Sequence, residues 1–309
     1  MSRYGAVTMA KERRRVKDKR ILVSLGGGFS STALMPRVLL RQYPLDQLHF
    51  VNAVLPNEHP DTWRLMDAVE EKLGISVVYI AYHPESGWQY VSKSDRSNKD
   101  KLFTPFDLFD HVHYVGNKRA DPCSRFLKRM TILKYVKDTF PKDDKPLIAI
   151  GIGKEEFERA SAIKRNWQDR GYDLLFPLEH LEELPVEDQQ KLMMEWYGVS
   201  LELYDLGFIH NNCRGACIKA GLRQWAKLWH TFPQVYEEWE LREQQWIVNH
   251  NGRRYPFLYK NVNYERIFIT LQEFRLMLEQ MMENKEVNYI TKEIDKLPHN
   301  PACMWCSAI

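Results

Sequence analysis

Gly26, Gly27 and Gly28, followed by Ser30 and Ser31, close an apolar run that opens at Ile21 in the stretch ILVSLGGGFSSTALM. Main-chain N–H groups at such a turn can approach an anion closely because few side chains stand in the way, and a helix start adds unpaired donors and a positive dipole end. The chemistry predicted is phosphate binding, with Ser24, Gly26, Gly27, Gly28, Ser30 and Ser31 as the cradle. A ligand-free tight turn is the plain alternative. The stretch lacks the Gly-Lys-Ser/Thr ending of a P-loop and does not complete the G-x-G-x-x-G dinucleotide fingerprint.

A second chemistry resides in five cysteines. HNNCRGACIKAG supplies Cys213 and Cys217 as C-x3-C, and HNPACMWC supplies Cys303 and Cys306 as C-x2-C. Two close pairs from distant sequence can converge into one four-thiolate site, the arrangement of structural zinc and of iron–sulfur clusters. Unlinked thiols and a redox-active disulfide are the alternatives, and spacing does not separate zinc from iron. The odd thiol is Cys123, close to Arg125 and Lys128, whose charges favour thiolate. His210 beside the first pair reads as a hydrogen-bonded structural residue that could replace a thiolate.

These groups need elements to hold them. Four β-rich runs, 21–25, 48–55, 75–82 and 146–153, alternate with helix-period segments. Asp61 is a cap candidate for a helix that stops at Gly74, and Phe126, Met130, Leu133 and Val136 fall on one face of another. The alternation predicts an α/β fold, a parallel sheet with helices on both faces. Residues 84–122 are polar, aromatic and without a clear periodicity, with SKSDRSNKDK reading as a flexible excursion, and form a candidate substrate-facing loop. Beyond about residue 180 helical patterns dominate, so the chain divides into a basic arm (1–20), a nucleotide-binding domain (21–180) and a mainly helical C-terminal region (181–309). Trp225, Trp229, Trp239 and Trp246 lie at near-helical spacings that suit core packing.

Composition narrows the function classes. With 309 residues and 44% hydrophobic content the chain is globular. No run approaches the roughly 20 apolar residues of a spanning helix, and charges stand where a signal peptide has its apolar stretch, which predicts a cytoplasmic protein with no membrane partner. The net charge of +3 conceals a balance of +6 over residues 1–20, an arm that could touch a nucleic-acid backbone.

The motifs together resemble the PP-loop ATP pyrophosphatases and their relatives the sulfonucleotide (PAPS and APS) reductases, which share a HUP-like (adenine nucleotide alpha hydrolase-like) sheet. SLGGGFSSTAL is similar to their S-G-G-x-D-S loop, with Ser30 at the usual Asp. LPNEHPDTW keeps Glu58, Pro60 and Thr62 of T-G-x-E-x-P-E-T, and DPCSRFLK keeps Cys123 and Lys128. GIGKEEFERA keeps Glu156 and Arg159, and LYDLGFIHNNCRGAC resembles the L-Y-x-x-G-F-x-x-x-x-C-x-x-C element that follows. The last element and CMWC also resemble phage and bacterial PAPS-reductase-domain proteins.

The resemblance implies ATP, or PAPS/APS, with phosphates on the glycine loop, Mg2+ beside them, and adenine near Asn52 to Val54. It implies Lys128, Arg125 and Arg159 as cations for phosphate or sulfate oxygens, with Glu58 and Glu156 orienting them or a metal. Cys123, Lys128 and Arg159 become the catalytic candidates, and the four paired cysteines lean toward a four-iron four-sulfur cluster. The leading expectation is adenylation of a substrate with pyrophosphate release for sulfur transfer, on a nucleic acid and with a sulfur-donor protein as partner. A PAPS/APS-reductase-like enzyme is the alternative, weakened because CMWCSAI replaces the reductases' E-C-G-L-H-type segment. A non-catalytic nucleotide- or nucleic-acid-binding module is the third.

Overall fold

The computed structural model describes residues 19–116, 121–154, 157–208, 211–252, 258–262, 265–283 and 287–297, without the side chains of 157–159, 162, 260–262 and 287–291. Six strands, β1 (Ile21–Ser24), β2 (Leu48–Ala53), β3 (Val77–Ala81), β4 (Gln89–Tyr90), β5 (Leu147–Ala149) and β6 (Leu174–Leu175), form one sheet in the order β4-β3-β2-β1-β5-β6. All neighbours are parallel except β3 and β4. The chain runs outward from β1 through β2 to β3, then returns to place β5 on the other side of β1. That reversal opens a crevice at the carboxyl ends of β1 and β5, where ligands of α/β sheets bind.

Alternation along the strands divides the core. Ile21, Val23, Phe50, Val77, Tyr79 and Ala149 face a layer that includes Leu65, Met66 and Val69 of α2 (Pro60–Leu73) and Met193 and Tyr197 of α6 (Val186–Tyr197). Leu22, Val51, Ile80 and Ile148 face Ile132, Tyr135 and Val136 of α4 (Thr131–Thr139) and Trp167 of α5 (Phe157–Gln168). Helices therefore cover both faces, as the strand–helix alternation requires of a buried parallel sheet. Helix α1 (Met35–Leu40), which follows β1, adds Met35 and Leu39 to the first layer.

Residues 84–116 are more ordered than their polarity suggests. They supply β4, a 3₁₀ turn at Lys93–Asp95 and α3 (Pro105–Val112), which opens with a reciprocal Thr104–Asp107 capping box. Buried Arg96 clamps its segment to α2 through paired bonds to Asp67 of 2.9 and 2.7 Å, with 3.2 Å to the Tyr79 hydroxyl. Phe106 and Phe109 of α3 join a second core, built around Trp225 of α8 (Leu222–Thr231), Tyr236, Trp239 and Trp246 of α9 (Pro233–Asn249), and Phe274 and Leu278 of α10 (Leu271–Met282). The tryptophans thus pack as their spacing predicts. The C-terminal region is not helical throughout: β7 (Leu258–Val262) and β8 (Glu265–Ile269) form an antiparallel hairpin, which precedes α10 and helix α11 (Val287–Lys296).

Two local expectations are corrected. His59, not Asp61, caps α2, its ring accepting the Asp61 N–H at 3.3 Å, because Pro60 suits the first helical position. Met130 does not share the buried face of Leu133 and Val136 but is 40% exposed. The preceding segment, Cys123–Met130, is π-helical, and its wider turn rotates residues away from a 3.6-residue stripe.

Candidate nucleotide site at the glycine loop

The glycine loop lies at the sheet's crevice and is held rigidly by its surroundings. Gly27 has φ +87°, and a β-carbon there would stand 2.5 Å from Cγ2 of buried Thr62. On the other side, a β-carbon on Gly151 would meet the Ser31 main chain at 2.8 Å, so the exit of β5 lies directly against the helix start. A π-helical turn, Phe29–Leu34, then leads into α1.

The donors are distributed differently from the sequence expectation. The Gly26 N–H donates to the Ser31 hydroxyl at 3.1 Å and the Gly27 N–H to the Thr32 hydroxyl at 2.8 Å, so both amides serve the loop itself. Ser31 and Thr32 are buried. Ser31 is thus a strut of the loop. The first N–H groups of the turn have no partner within the turn itself, and the partly exposed Ser30 lines a separate cleft with Glu182 and Glu183. Thr32 has a part that the glycine and serine pattern does not reveal; its signal is a hydroxyl five residues after Gly27.

Beside the loop is a narrow cleft whose walls include Gly26, Asn52, Glu58, Thr62, Trp63 and Lys128. Lys128 donates to Glu58 Oε1 at 2.9 Å, both side chains nearly buried. The second Glu58 oxygen accepts the Cys213 N–H at 2.6 Å, in a turn where Cys213 and Arg214 both adopt left-handed conformations. Glu58 therefore joins the cation of the cleft to the cysteine element from 155 residues away. Asn211 adds a second link, donating to Thr62 Oγ1 at 2.9 Å.

Buried polar atoms without a partner concentrate here among the described residues. They are Asn52 Oδ1 and Trp63 Nε1 in the cleft wall, Ser24 Oγ and Asn57 Oδ1 next to wall residues, and Asn211 Oδ1 beside Thr62. Each such atom costs about 1–3 kcal/mol unless a ligand or water satisfies it. Asn52 is held in place because its amide donates to Leu25 O at 2.8 Å, which leaves its buried oxygen without a partner in the cleft wall.

Not every expected residue converges. Arg125 is exposed, with its guanidinium 5.1 Å above the Phe126 ring, and it lines a different cleft from Lys128. The two lie on different sides of one helical segment. Cys123 and Cys213 both border the small apolar cluster of Leu55, Leu108 and Leu127, whereas Cys217 is buried in the C-terminal core. Among the described residues no three metal-ligating groups that include a cysteine have ligand atoms within 4.8 Å of one another. Cys303, Cys306, Glu156, His210, the arm of 1–18 and the side chain of Arg159 lie outside the described residues.

The group that does meet that distance is His59, Asp61 and Glu202, the last in the short helix α7 (Glu202–Asp205). Its lone pairs are largely committed. Asp61 accepts from Arg64 at 2.6 Å and from the Glu202 N–H at 2.8 Å, and His59 Nδ1 accepts the Asp61 N–H. His59 Nε2 is 3.3 Å from Glu202 Oε2, so the arrangement is a polar staple between α2 and α7. Burial holds the His59 imidazole below its usual pKa, against the opposing pull of Asp61 and Glu202. His49 shifts the same way, through burial and then Arg20.

With both imidazoles depressed, the folded protein binds fewer protons than the unfolded chain near the usual imidazole pKa of about 6.5, so stability rises with pH there. The stabilisation is complete above that value and is lost as pH falls through the folded pKa values. A melting series from pH 7.5 to 5 should show Tm falling on the acid side, with His59→Gln flattening part of the fall. An unchanged pH slope in His59→Gln would contradict this account.

No protein-family model and no curated protein matches the chain. Among the described residues no helix is long and apolar enough to cross a membrane.

Proposed function

We propose that the chain is an enzyme that binds ATP at the glycine loop, transfers the adenylyl group to an oxygen of its substrate and releases pyrophosphate. The observation that carries this reading is the gathering of unpartnered buried polar atoms around a cleft that also holds a nearly buried Lys128, at the crevice of a parallel sheet. An adenine edge would satisfy Asn52 Oδ1, and the triphosphate would take amides at the start of the turn. Lys128, held in place by Glu58, would neutralise charge growing on the departing pyrophosphate as the substrate oxygen bonds to the α-phosphorus. The cleft on the far side of the loop, lined by Ser30, also contains Glu182 and Glu183, which disfavours phosphate there.

The reading extends to Cys213 and Cys217, which with Cys303 and Cys306 would hold zinc or a four-iron four-sulfur cluster. Glu58 places that element next to the nucleotide cleft, consistent with sulfur chemistry following adenylation. The described cysteines do not form such a centre by themselves. Anaerobic purification followed by metal analysis and an absorption spectrum decides between zinc and iron.

The functional test is incubation of metal-replete, reduced protein with ATP or with PAPS. Pyrophosphate and AMP release is expected from ATP, and Lys128→Gln is expected to lower the rate by about 10²-fold, the range of losing one electrostatic donor. Sulfite release from PAPS would favour the reductase-like alternative instead. Binding of ATP without turnover would leave only a nucleotide-binding module.

A further inference from the structure

A second, wider cleft lies away from the glycine loop. It has a volume of about 550 Å3 and is lined by Arg125 and Arg129 of the π-helical segment, Arg170 just beyond α5, and the aromatic residues Tyr114, Phe126 and Trp167. Among the described residues only one carboxylate, Asp121, contributes to its wall. That carboxylate is shared, 3.3 Å from Arg129 and 3.1 Å from the buried Lys219. Among the described residues Arg125 and Arg170 have no carboxylate partner; Arg170 bonds to Asn166 instead. The wall thus carries three arginines and one half-neutralised aspartate, an excess of positive charge concentrated in a chain whose total is only +3.

Arginine guanidinium groups match phosphate oxygens in pairs, and they stack on aromatic faces while doing so. Arg125 already sits above Phe126. Arginines alternating with aromatic rings along an open groove are the arrangement that takes single strands, with phosphates on the cations and bases against the rings. The cleft is far roomier than the one beside the glycine loop, and its cations come from two separate elements, which suits a chain of phosphates better than one small anion.

We propose that the cleft between the Cys123–Met130 segment and α5 binds a stretch of single-stranded nucleic acid, its phosphates on Arg125, Arg129 and Arg170. This assignment does not depend on the nucleotide reading of the glycine loop. It relocates nucleic-acid contact from the basic arm alone to the folded body of the protein.

The test uses the full chain and fluorescein-labelled dT12 and U12, with binding followed by anisotropy from 50 to 200 mM salt. The triple variant Arg125→Gln, Arg129→Gln, Arg170→Gln is expected to bind about tenfold or more weakly, with its log–log salt slope reduced by about 2, since each single-strand phosphate contact contributes about 0.7. Single variants Arg125→Gln and Arg170→Gln, both at exposed positions, should each reduce the slope by about 0.7. The single variants keep the test decisive if the triple variant folds poorly. Unchanged affinity and slope in a folded variant would overturn the proposal, since any binding would then belong to another surface such as the arm. Absence of oligonucleotide binding by the wild type, or calorimetric binding of inorganic pyrophosphate at these arginines without strand binding, would overturn it as well. ATP binding measured on the same preparations separates the two readings: it should survive in the triple variant, and its absence from the wild type would count against the glycine loop alone.

Discussion

Gly27→Ala is expected to destabilise the protein by about 3 kcal/mol and to abolish ATP binding, read as a drop in Tm and loss of a calorimetric signal. Two costs combine. The left-handed backbone at φ +87° costs a residue with a β-carbon roughly 1–2 kcal/mol, and forcing an extra methyl group into a packed site costs about 1–3 kcal/mol. The collision is specific, with Thr62 Cγ2 at 2.5 Å. Gly74 is the control, since it is also left-handed, at φ +62°, but has open space where a β-carbon would stand. Gly74→Ala should therefore cost only the first term. Adding Thr62→Ser to Gly27→Ala should recover part of the loss by removing the methyl group, while its hydroxyl still accepts from Asn211. If Gly27→Ala were no worse than Gly74→Ala, the loop would not be clamped as described, and its rigidity could not pre-arrange the turn's amides.

Glu58→Ala should be the most damaging single change, with an expected loss of about 3–5 kcal/mol, the range for removing one member of a buried ion pair. Glu58 is 4% and Lys128 12% exposed at the side chain, so water cannot readily replace the missing carboxylate. The variant also removes the acceptor of the Cys213 N–H, whose residue occupies a strained left-handed conformation. Glu58→Gln should be intermediate, because its amide oxygen can still accept one N–H while its charge is gone. Chemical denaturation measures the stability, and hydrogen exchange at the Cys213 amide measures the loosening of the turn. A loss under about 1 kcal/mol in Glu58→Ala would show that the pair is not holding the cleft to the cysteine element.

These two residues illustrate what local sequence can and cannot say. Gly27 was legible because successive glycines after a β-rich run have few other uses, and Glu58 and Lys128 stood at recognisable motif positions. That they bond to each other was not legible, since they are 70 residues apart and pairing across such a distance depends on how β2 and the Cys123–Met130 segment are brought together. Arg125 was misplaced for a related reason. Three residues before Lys128, it would share a face in an ordinary helix, but the segment is π-helical and the two cations line different clefts.

By itself the sequence determined the alternation of strands and helices, the two-sided burial of the sheet, the glycine turn at the end of β1 and the tryptophan core. All of these follow from periodicity and residue chemistry over short spans, which neighbours along the chain largely dictate. Only the tertiary structure decided that Ser31 and Thr32 brace the loop, that Glu58 joins Lys128 to Cys213, that Arg96 clamps its segment to α2, and that three arginines share one cleft. Each of these is a contact between residues whose separation is set by packing, and packing depends on the whole core at once.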